Sequence, residues 1–522
     1  MINIGELVTK PAILAPDAPA LIDPERAVSR SFGQLATRSE ALAGALSRSL
    51  STGEGGRVAA LSQNCIELFE LYLASAKAGS LLFPLNWRFS PAQVAQALHD
   101  AAPSVVFYES ELRSTVDEIR SELPVENWVE WSPGKDSEYE ELMTRAIADV
   151  DRVRLPVPGS LLNHPYLAVS TGGTTGIPKS AVHTQFSYSA CAIDYLAAAR
   201  ICESDIYLML GQLFHVVGYM PLAYLASGRP VVVANFDAEA LLEIIKEEHV
   251  SGFFAIATML PRLINAAKAK GMDASSVRQV EYGGAPTAEE VIRDATEIFE
   301  SDLIQAWGMT EFGPGTYLGP DAHRRALSGQ NPELLRSCGK AALFSTVAIL
   351  AEDGRPVPQD GKSMGEVCHR GPNNMTEYWK QPAETAEVLR DGWIHTGDGG
   401  VWDSEGHIYI VDRLKSMIIT GGENVFPAEV ERTLGNHPEI AEVVVVGVAD
   451  KEWGEVIKAV VVRAPGSQLS AEDVSSYVEV ALGSYKKPRI VDFMEELPMT
   501  PTGKVNRKLL SASDSQSSAR TS

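Results

Sequence analysis

From Arg57 onward, short apolar runs alternate with longer stretches whose apolar positions recur every three or four residues. RVAALSQN, SLLFPLN and PSVVFYES have the length and β-branched or aromatic content of buried strands. CIELFELYLASAKAG and SPAQVAQALHDA carry helical periodicity, the second opened by a serine cap. The alternation returns in IYLMLGQLFH, PLAYLASG, RPVVVANF, AEALLEIIKEEH, SGFFAIATM, PRLINAAKAKG, VRQVEYGGAP, TAEEVIRDATEIFE and DLIQAWGMTE. Strand–helix–strand repetition of this kind predicts an α/β fold with parallel, doubly wound sheets covered on both faces. Ligands of such sheets bind at the carboxyl ends of the strands, where His215, Thr258, Gly283 to Pro286, Thr310 and Glu311 collect.

The stretch from Arg113 to Pro158 reads as charged and irregular, a link rather than a layer. After Cys338 the pattern becomes turn-rich and strand-like, as a small β subdomain would be, and DGWIHTGDGGVWDSEGHIYIVDR reads as glycine-punctuated hairpins. Beyond Lys415 a small α+β unit is expected: strand MIITG, helix PAEVERTLGNH, strands EVVVVGVAD and EVIKAVVVRA, helix SAEDVSSYVEVALG and a short strand near Ile490. The expected organisation is a large N-terminal domain over 1–413, a small mobile C-terminal domain over 414–510 and a polar, disordered tail over 511–522.

Composition narrows the function classes. A chain of 522 residues exceeds one core and predicts at least two domains. A formal charge of −23 opposes nucleic acid and anionic membrane as partners, so anionic ligands must be held by local pockets. The five cysteines Cys65, Cys191, Cys202, Cys338 and Cys368 show neither disulfide nor zinc spacing and are expected as buried thiols. The N-terminus lacks a basic, apolar leader, and no run reaches the roughly 18 apolar residues of a membrane span. A soluble, cytoplasmic protein is expected, with a homodimer left open.

The densest chemistry lies in STGGTTGIPKSAVHTQ, Ser170 to Gln185. Gly172, Gly173 and Gly176 let backbone N–H groups converge on an anion, Thr171, Thr174 and Thr175 add hydroxyls, and Lys179 adds a cation. A polyphosphate is the matching guest. The loop is not a Walker A motif, because Pro178 precedes the lysine and has no N–H to donate.

With these motifs the chain resembles the adenylate-forming superfamily of acyl-CoA synthetases, luciferases and peptide-synthetase adenylation domains, nearest the AMP-forming acyl-CoA synthetases. The resemblance covers nearly the whole chain, with the motifs in the family's order. It implies ATP and CoA as co-substrates and Mg²⁺ as cofactor, with a hydrophobic carboxylic acid, fatty or aromatic, as the third substrate. It further implies that the loop Thr171 to Lys179 holds pyrophosphate, that Gly284, Ala285 and Pro286 of YGGAP flank the adenine, and that Trp307 packs beside the nucleotide. Thr310 would meet the α-phosphate, Glu311 would hold Mg²⁺, and Asp398 and Arg413 would meet the ribose and phosphate oxygens. Phe214, Tyr219 and Gly283 would line the acyl pocket, His215 would be catalytic together with Thr310, Glu311 and the catalytic lysine Lys504, Lys415 would be the hinge, and Gly421, Gly422 and Glu423 would face CoA. The chain departs from the family pattern with Gly172 for serine, Ser180 for glycine, Gln212 for proline and Glu377 for glycine. Transfer of the acyl group to a carrier protein, a luciferase-like oxygenase and a catalytically silent nucleotide-binding homologue share these motifs and stand as the alternatives.

Overall fold

The computed structural model describes residues 3–48, 50, 52, 54–132, 136–150, 154–171, 179–271, 274–499 and 505–512. Two compact units emerge, one of residues 1–347 and 369–394, the other of 348–368 and 395–522. The chain passes between them within the strands Thr346–Leu350, Gly365–Arg370 and Trp393–Trp402. The pivot expected at Lys415 concerns motion rather than compactness and stays a proposal.

Two large sheets build the first unit. Among the described residues one has nine strands and the other seven. In the seven-stranded sheet Leu81–Leu85, Arg57–Leu61, Val105–Glu109 and Asn127–Trp131 run parallel. Every residue of Leu81–Leu85 and Val105–Glu109 is buried, as strands covered on both faces require. In the nine-stranded sheet Tyr207–Met209, Gly252–Ile256, Gln279–Gly283 and Asp302–Met309 are parallel. The helix Ile66–Ala78 is apolar around most of its circumference and is buried on every face. Pro91–Ala101 carries the expected cap: Ser90 Oγ accepts from Gln93 N, and the Gln93 side chain returns the bond to the Ser90 N–H.

Three expectations change. The edges are antiparallel, with Asp302–Met309 pairing Gly313–Leu318, and Pro165–Thr171 pairing Lys179–Thr184. The stretch 113–158 is not an irregular link. It forms the helix Arg113–Ile119, the strand Asn127–Trp131 beside Val105–Glu109, and the helix Glu138–Ala148. Its charges are used internally, Arg113 pairing with Glu130, while Trp131 and Tyr139 are fully buried. Of the cysteines, Cys202 is exposed while Cys65, Cys191, Cys338 and Cys368 are buried.

In the second unit the expected elements appear in order. Gly454–Arg463 pairs antiparallel with Ile440–Asp450 and parallel with Ile490–Met494, and the helices Pro427–Gly435 and Ala471–Leu482 share its apolar core. Trp393–Trp402 and Ile408–Arg413 form one of the expected hairpins. Of the expected tail, Ser511 and Ala512 end the helix Arg507–Ala512, and 513–522 lie outside the described residues.

Candidate active site

Parallel register brings the carboxyl ends of three strands level: Ile256 pairs with Gly283, and Gly283 with Ala306. Immediately beyond these residues lie Thr258, then Gly284, Ala285 and Pro286, and Trp307. Gly284 adopts φ +77°, which turns the chain outward and leaves Gly284 to Pro286 exposed. Trp307 is half-buried and packs on Phe312 at 5.6 Å between ring centroids.

The strand Asp302–Met309 ends in a tight reversal into Gly313–Leu318, with Thr310 and Glu311 at its tip. A Cβ on Gly308 would fall on the Gly313 carbonyl, so glycine is what allows this reversal. Two side chains fix the tip from behind. His183 is fully buried, and desolvation lowers its pKa to about 4. It is therefore neutral, and its Nε2–H donates to the Thr310 carbonyl at 2.7 Å. Tyr378 Oη donates to Glu311 Oε1 at 2.5 Å, and both residues are buried. The Lys179 ammonium stands 4.9 Å from the centroid of the same tyrosine ring.

Lys179 and Thr171 are cross-strand partners at the open end of a hairpin. Of the loop between them, Gly172, Gly173, Thr174, Thr175 and Gly176 lie outside the described residues. Lys179, Tyr378 and Glu311 nevertheless form a continuous chain from that loop's base to the tip of the strand reversal. Glu377, where the family pattern has glycine, pairs with Val182 and is exposed, and it sets Tyr378 in its place. Glu311 also suits a hard divalent cation. It is a carboxylate with one oxygen oriented by Tyr378, and Mg²⁺ usually takes only one or two protein carboxylates, its remaining ligands being water and phosphate oxygens.

The segment after Tyr207–Met209 carries Phe214 and His215. Asn64 holds it, donating to the Gly211 carbonyl at 3.0 Å and accepting from the Leu213 N–H at 3.0 Å. Gln212, standing where the pattern has proline, accepts from Trp87 Nε1 at 3.0 Å. Phe214 is buried against the half-buried His215 ring at 4.4 Å, and the helix Tyr219–Ala226 follows. Tyr219 is buried, with its ring edge 3.5 Å from where a Cβ on Gly313 would sit, so it lies under the strand reversal. Gly283 packs against the Phe254 ring.

The remaining candidates lie in the second unit. Asp398 is buried, and its Oδ1 meets Arg413 Nε at 2.8 Å across the hairpin. The Gly397 N–H donates to Glu366 Oε1 at 3.0 Å, and Glu366 Oε2 meets His395 Nδ1 at 2.7 Å. Glu366, Cys368 and His395, the last on the same strand as Asp398, thus form a compact hydrogen-bonded group, one the sequence did not single out. Lys415 is exposed in the short turn Leu414–Ser416. Gly421 and Gly422, at φ +59° and +84°, make the two-residue turn of a hairpin in which Thr420 pairs with Glu423. All three of Gly421, Gly422 and Glu423 are exposed. Lys504 lies outside the described residues, flanked by the paired residues Met499 and Val505.

Sequence reading missed Tyr378, His183 and a polar cluster centred on Glu281. Glu281 is fully buried on Gln279–Gly283, accepting from Tyr195 Oη at 2.5 Å and Gln279 Nε2 at 2.6 Å. Burial pushes its pKa up to about 7. Gln279 is its near neighbour on the strand, but Tyr195 comes from a distant helix and leaves no signal in the local sequence.

Comparison with known proteins identifies two matching family models: AMP-binding enzyme over residues 10–379 and AMP-binding enzyme C-terminal domain over 429–504. An indoleacetate–CoA ligase from Aromatoleum aromaticum is 35% identical over 520 residues, covering 97% of both chains. A feruloyl-CoA synthase from an Amycolatopsis species is 33% identical over 508 residues, 96% of this chain and 97% of the relative. The solved structure of a Mycobacterium tuberculosis fatty acyl CoA synthetase superimposes with a TM-score of 0.76 at 29% identity, covering 99% of this chain and 98% of that one.

Proposed function

The chain belongs to the AMP-binding enzyme family and is an AMP-forming acid–thiol ligase of fatty or aryl acids, and from that premise we propose that it joins a hydrophobic carboxylic acid to CoA through a bound acyl-adenylate. The observation that carries this reading is the chain of contacts Lys179–Tyr378–Glu311 at the tip beside Thr310, which ends the strand whose Ala306 pairs with Gly283, the residue before the exposed turn Gly284 to Pro286. Each group there has a task in bringing a carboxylate to the α-phosphate of ATP.

A carboxylate is a poor acyl donor because oxide is its leaving group. In the first half-reaction a carboxylate oxygen bonds to the α-phosphorus and the bond to pyrophosphate breaks. Two anions must meet, so the residues work by position and charge rather than as covalent nucleophiles. Lys179 and Thr171, with the loop they bracket, receive the departing pyrophosphate. Thr310 donates to the α-phosphate, while Gly284 to Pro286 and Trp307 hold the base. Glu311 would hold Mg²⁺, whose charge offsets the repulsion between the two anions. Lys504 adds a second positive charge to the pentacovalent phosphorus. Asp398 and Arg413 engage the ribose.

In the second half-reaction the CoA sulfur attacks the acyl carbon and the C–O bond to AMP breaks. Lys504 has no role in that step. A rotation at Lys415 withdraws it and presents the Gly421 to Glu423 hairpin to the pantetheine arm. Phe214, His215, Tyr219 and Gly283 line the acyl pocket, and the apolar neighbours Phe254 and Ile256 favour a hydrophobic tail. The relatives named for indoleacetate, ferulate and fatty acids support the same class.

ATP–pyrophosphate exchange and CoA acylation, assayed across alkyl and aromatic acids, test this reading. Exchange and thioester formation with the same acid are expected. Exchange without CoA acylation would move the acceptor to a carrier protein, and no exchange with any acid would overturn the reading.

A further inference from the structure

Glu366 and Cys368 stand two residues apart on the strand Gly365–Arg370, and His395 stands on the neighbouring strand Trp393–Trp402. Alternation puts all three side chains on one face of this sheet, while the buried Val367 and Thr396 between them turn to the other. One donor atom from each of the three lies within 4.8 Å of the other two. Cys368 is fully buried, and the His395 and Glu366 side chains are 18% and 23% exposed, so the group opens to solvent on their side. Sequence spacing hid it, because 27 residues separate Cys368 from His395. None of the three has a part in the proposed reaction.

One ring nitrogen serves two neighbours. His395 Nδ1 lies 2.7 Å from Glu366 Oε2, and a carboxylate oxygen accepts, so Nδ1 carries the ring proton. Cys368 Sγ lies 3.4 Å from the same nitrogen, which has no lone pair left for the thiol. A divalent ion in place of that proton satisfies both neighbours at once. Tetrahedral zinc, with Zn–N about 2.0–2.1 Å and Zn–S about 2.3 Å, holds N and S roughly 3.5 Å apart and N and O roughly 3.3 Å apart. The nitrogen–sulfur distance already matches, and the partly exposed carboxylate has only to draw back by about 0.6 Å. Thiolate and carboxylate together cancel the charge of the ion, so the occupied site is neutral and carries little desolvation cost. A set of one nitrogen, one sulfur and one oxygen selects zinc over Mg²⁺ or Ca²⁺, which take oxygen ligands.

We propose that Glu366, Cys368 and His395 form a binding site for one thiophilic divalent cation of the zinc class, with water as the fourth ligand on the exposed side. On binding, the Sγ–H bond breaks and its proton goes to solvent, the ring proton passes from Nδ1 to Nε2, and Sγ, Nδ1 and Oε2 each bond to the metal. The ion joins two adjacent strands next to Gly397, whose N–H donates to Glu366 Oε1, and so braces the strand that carries Asp398. Its donor set differs from the lone carboxylate of Glu311, and the inference does not depend on the ligase reading.

The test titrates the metal-free protein with Co²⁺, a spectroscopic stand-in for zinc, in excess Mg²⁺ so that oxygen-only sites are filled. A near-ultraviolet thiolate-to-cobalt band and the intense visible bands of four-coordinate cobalt are expected, saturating at one equivalent per chain and bleached by Zn²⁺. Zn²⁺ alone is expected to raise Tm by a few degrees. Cys202→Ser, which removes the exposed thiol, keeps the thiolate band, and Cys368→Ser abolishes it. Glu366→Gln keeps the band but weakens Co²⁺ binding by about tenfold or more. Should Cys368→Ser fail to fold, Glu366→Gln and His395→Asn decide, and unchanged Co²⁺ affinity in both overturns the proposal. A wild type without the thiolate band also overturns it, as does a band that survives Cys368→Ser or vanishes in Cys202→Ser. The readouts use no acid, ATP or CoA, so their failure leaves the ligase reading untouched.

Discussion

Replacing Tyr378 by phenylalanine removes one oxygen and little else. The ring remains for Lys179, 4.9 Å from its centroid, and for the apolar neighbours Ala181, Phe312, Met375 and Ile394. What disappears is the 2.5 Å hydrogen bond to Glu311 Oε1, made where both side chains are buried. A hydrogen bond to a charged group contributes about 1.5–3 kcal/mol, or roughly 10- to 150-fold in a rate or an affinity. Loss of a partner that orients a metal-binding carboxylate has a similar size, about 10- to 100-fold. The expected outcome is a drop of that order in pyrophosphate exchange, accompanied by a higher Mg²⁺ requirement, while Tm falls by only a few degrees. Exchange should therefore be measured across a Mg²⁺ titration at saturating ATP. Exchange within twofold of wild type at limiting Mg²⁺ would refute the idea that Tyr378 orients Glu311.

Three further outcomes follow from the geometry. Gly421→Ala should cost about 1–3 kcal/mol in denaturant unfolding, because its φ is +59° and the new Cβ would lie 2.7 Å from Trp453, whereas Gly422→Ala, at φ +84° with open space around it, should cost only about 1. Equal losses would remove Trp453 from the explanation. Glu281 has a folded pKa of about 7, raised by burial from an ordinary 4.5, so its contribution to stability is present below pH 4.5 and is lost as pH rises through 7. It faces Tyr195, Tyr207, Tyr219, Tyr224 and Tyr317, with Arg278 as the nearby cation. Glu281→Gln does not titrate and should gain roughly 3 kcal/mol on the wild type between pH 4.5 and 8; parallel pH–stability curves would contradict this. Lys504→Ala should lower pyrophosphate exchange by about 10²- to 10³-fold yet leave thioester formation from supplied acyl-AMP within a few fold. Equal collapse of both half-reactions would count against withdrawal of the lysine.

The strand–helix alternation was legible because buried parallel strands are apolar throughout and their crossover helices are periodic, as Leu81–Leu85 and Pro91–Ala101 show. The hairpin Pro19–Asp23 with Val28–Ser31 was not read at all, since four residues with a half-exposed pattern carry little signal. The stretch 113–158 misled because Arg113, Glu130 and Glu138 advertise solvent while bonding to one another. The site divides along similar lines. Contiguous motifs such as Gly283 to Pro286 and Trp307 to Glu311 announced themselves, and strand register then set them side by side. Partnerships across long separations left no trace, among them Tyr378 with Glu311, His183 with Thr310, and Tyr195 with Glu281. Such pairs are made by tertiary packing, and each member alone reads as an ordinary core residue.

The most direct measurement follows the oxygen atoms of the acid. With both carboxylate oxygens labelled as ¹⁸O, the account predicts one label in AMP for each CoA thioester formed, because the oxygen that bonds to phosphorus stays there when sulfur displaces it. Unlabelled AMP, or label carried into inorganic phosphate with ADP as the other product, would contradict it.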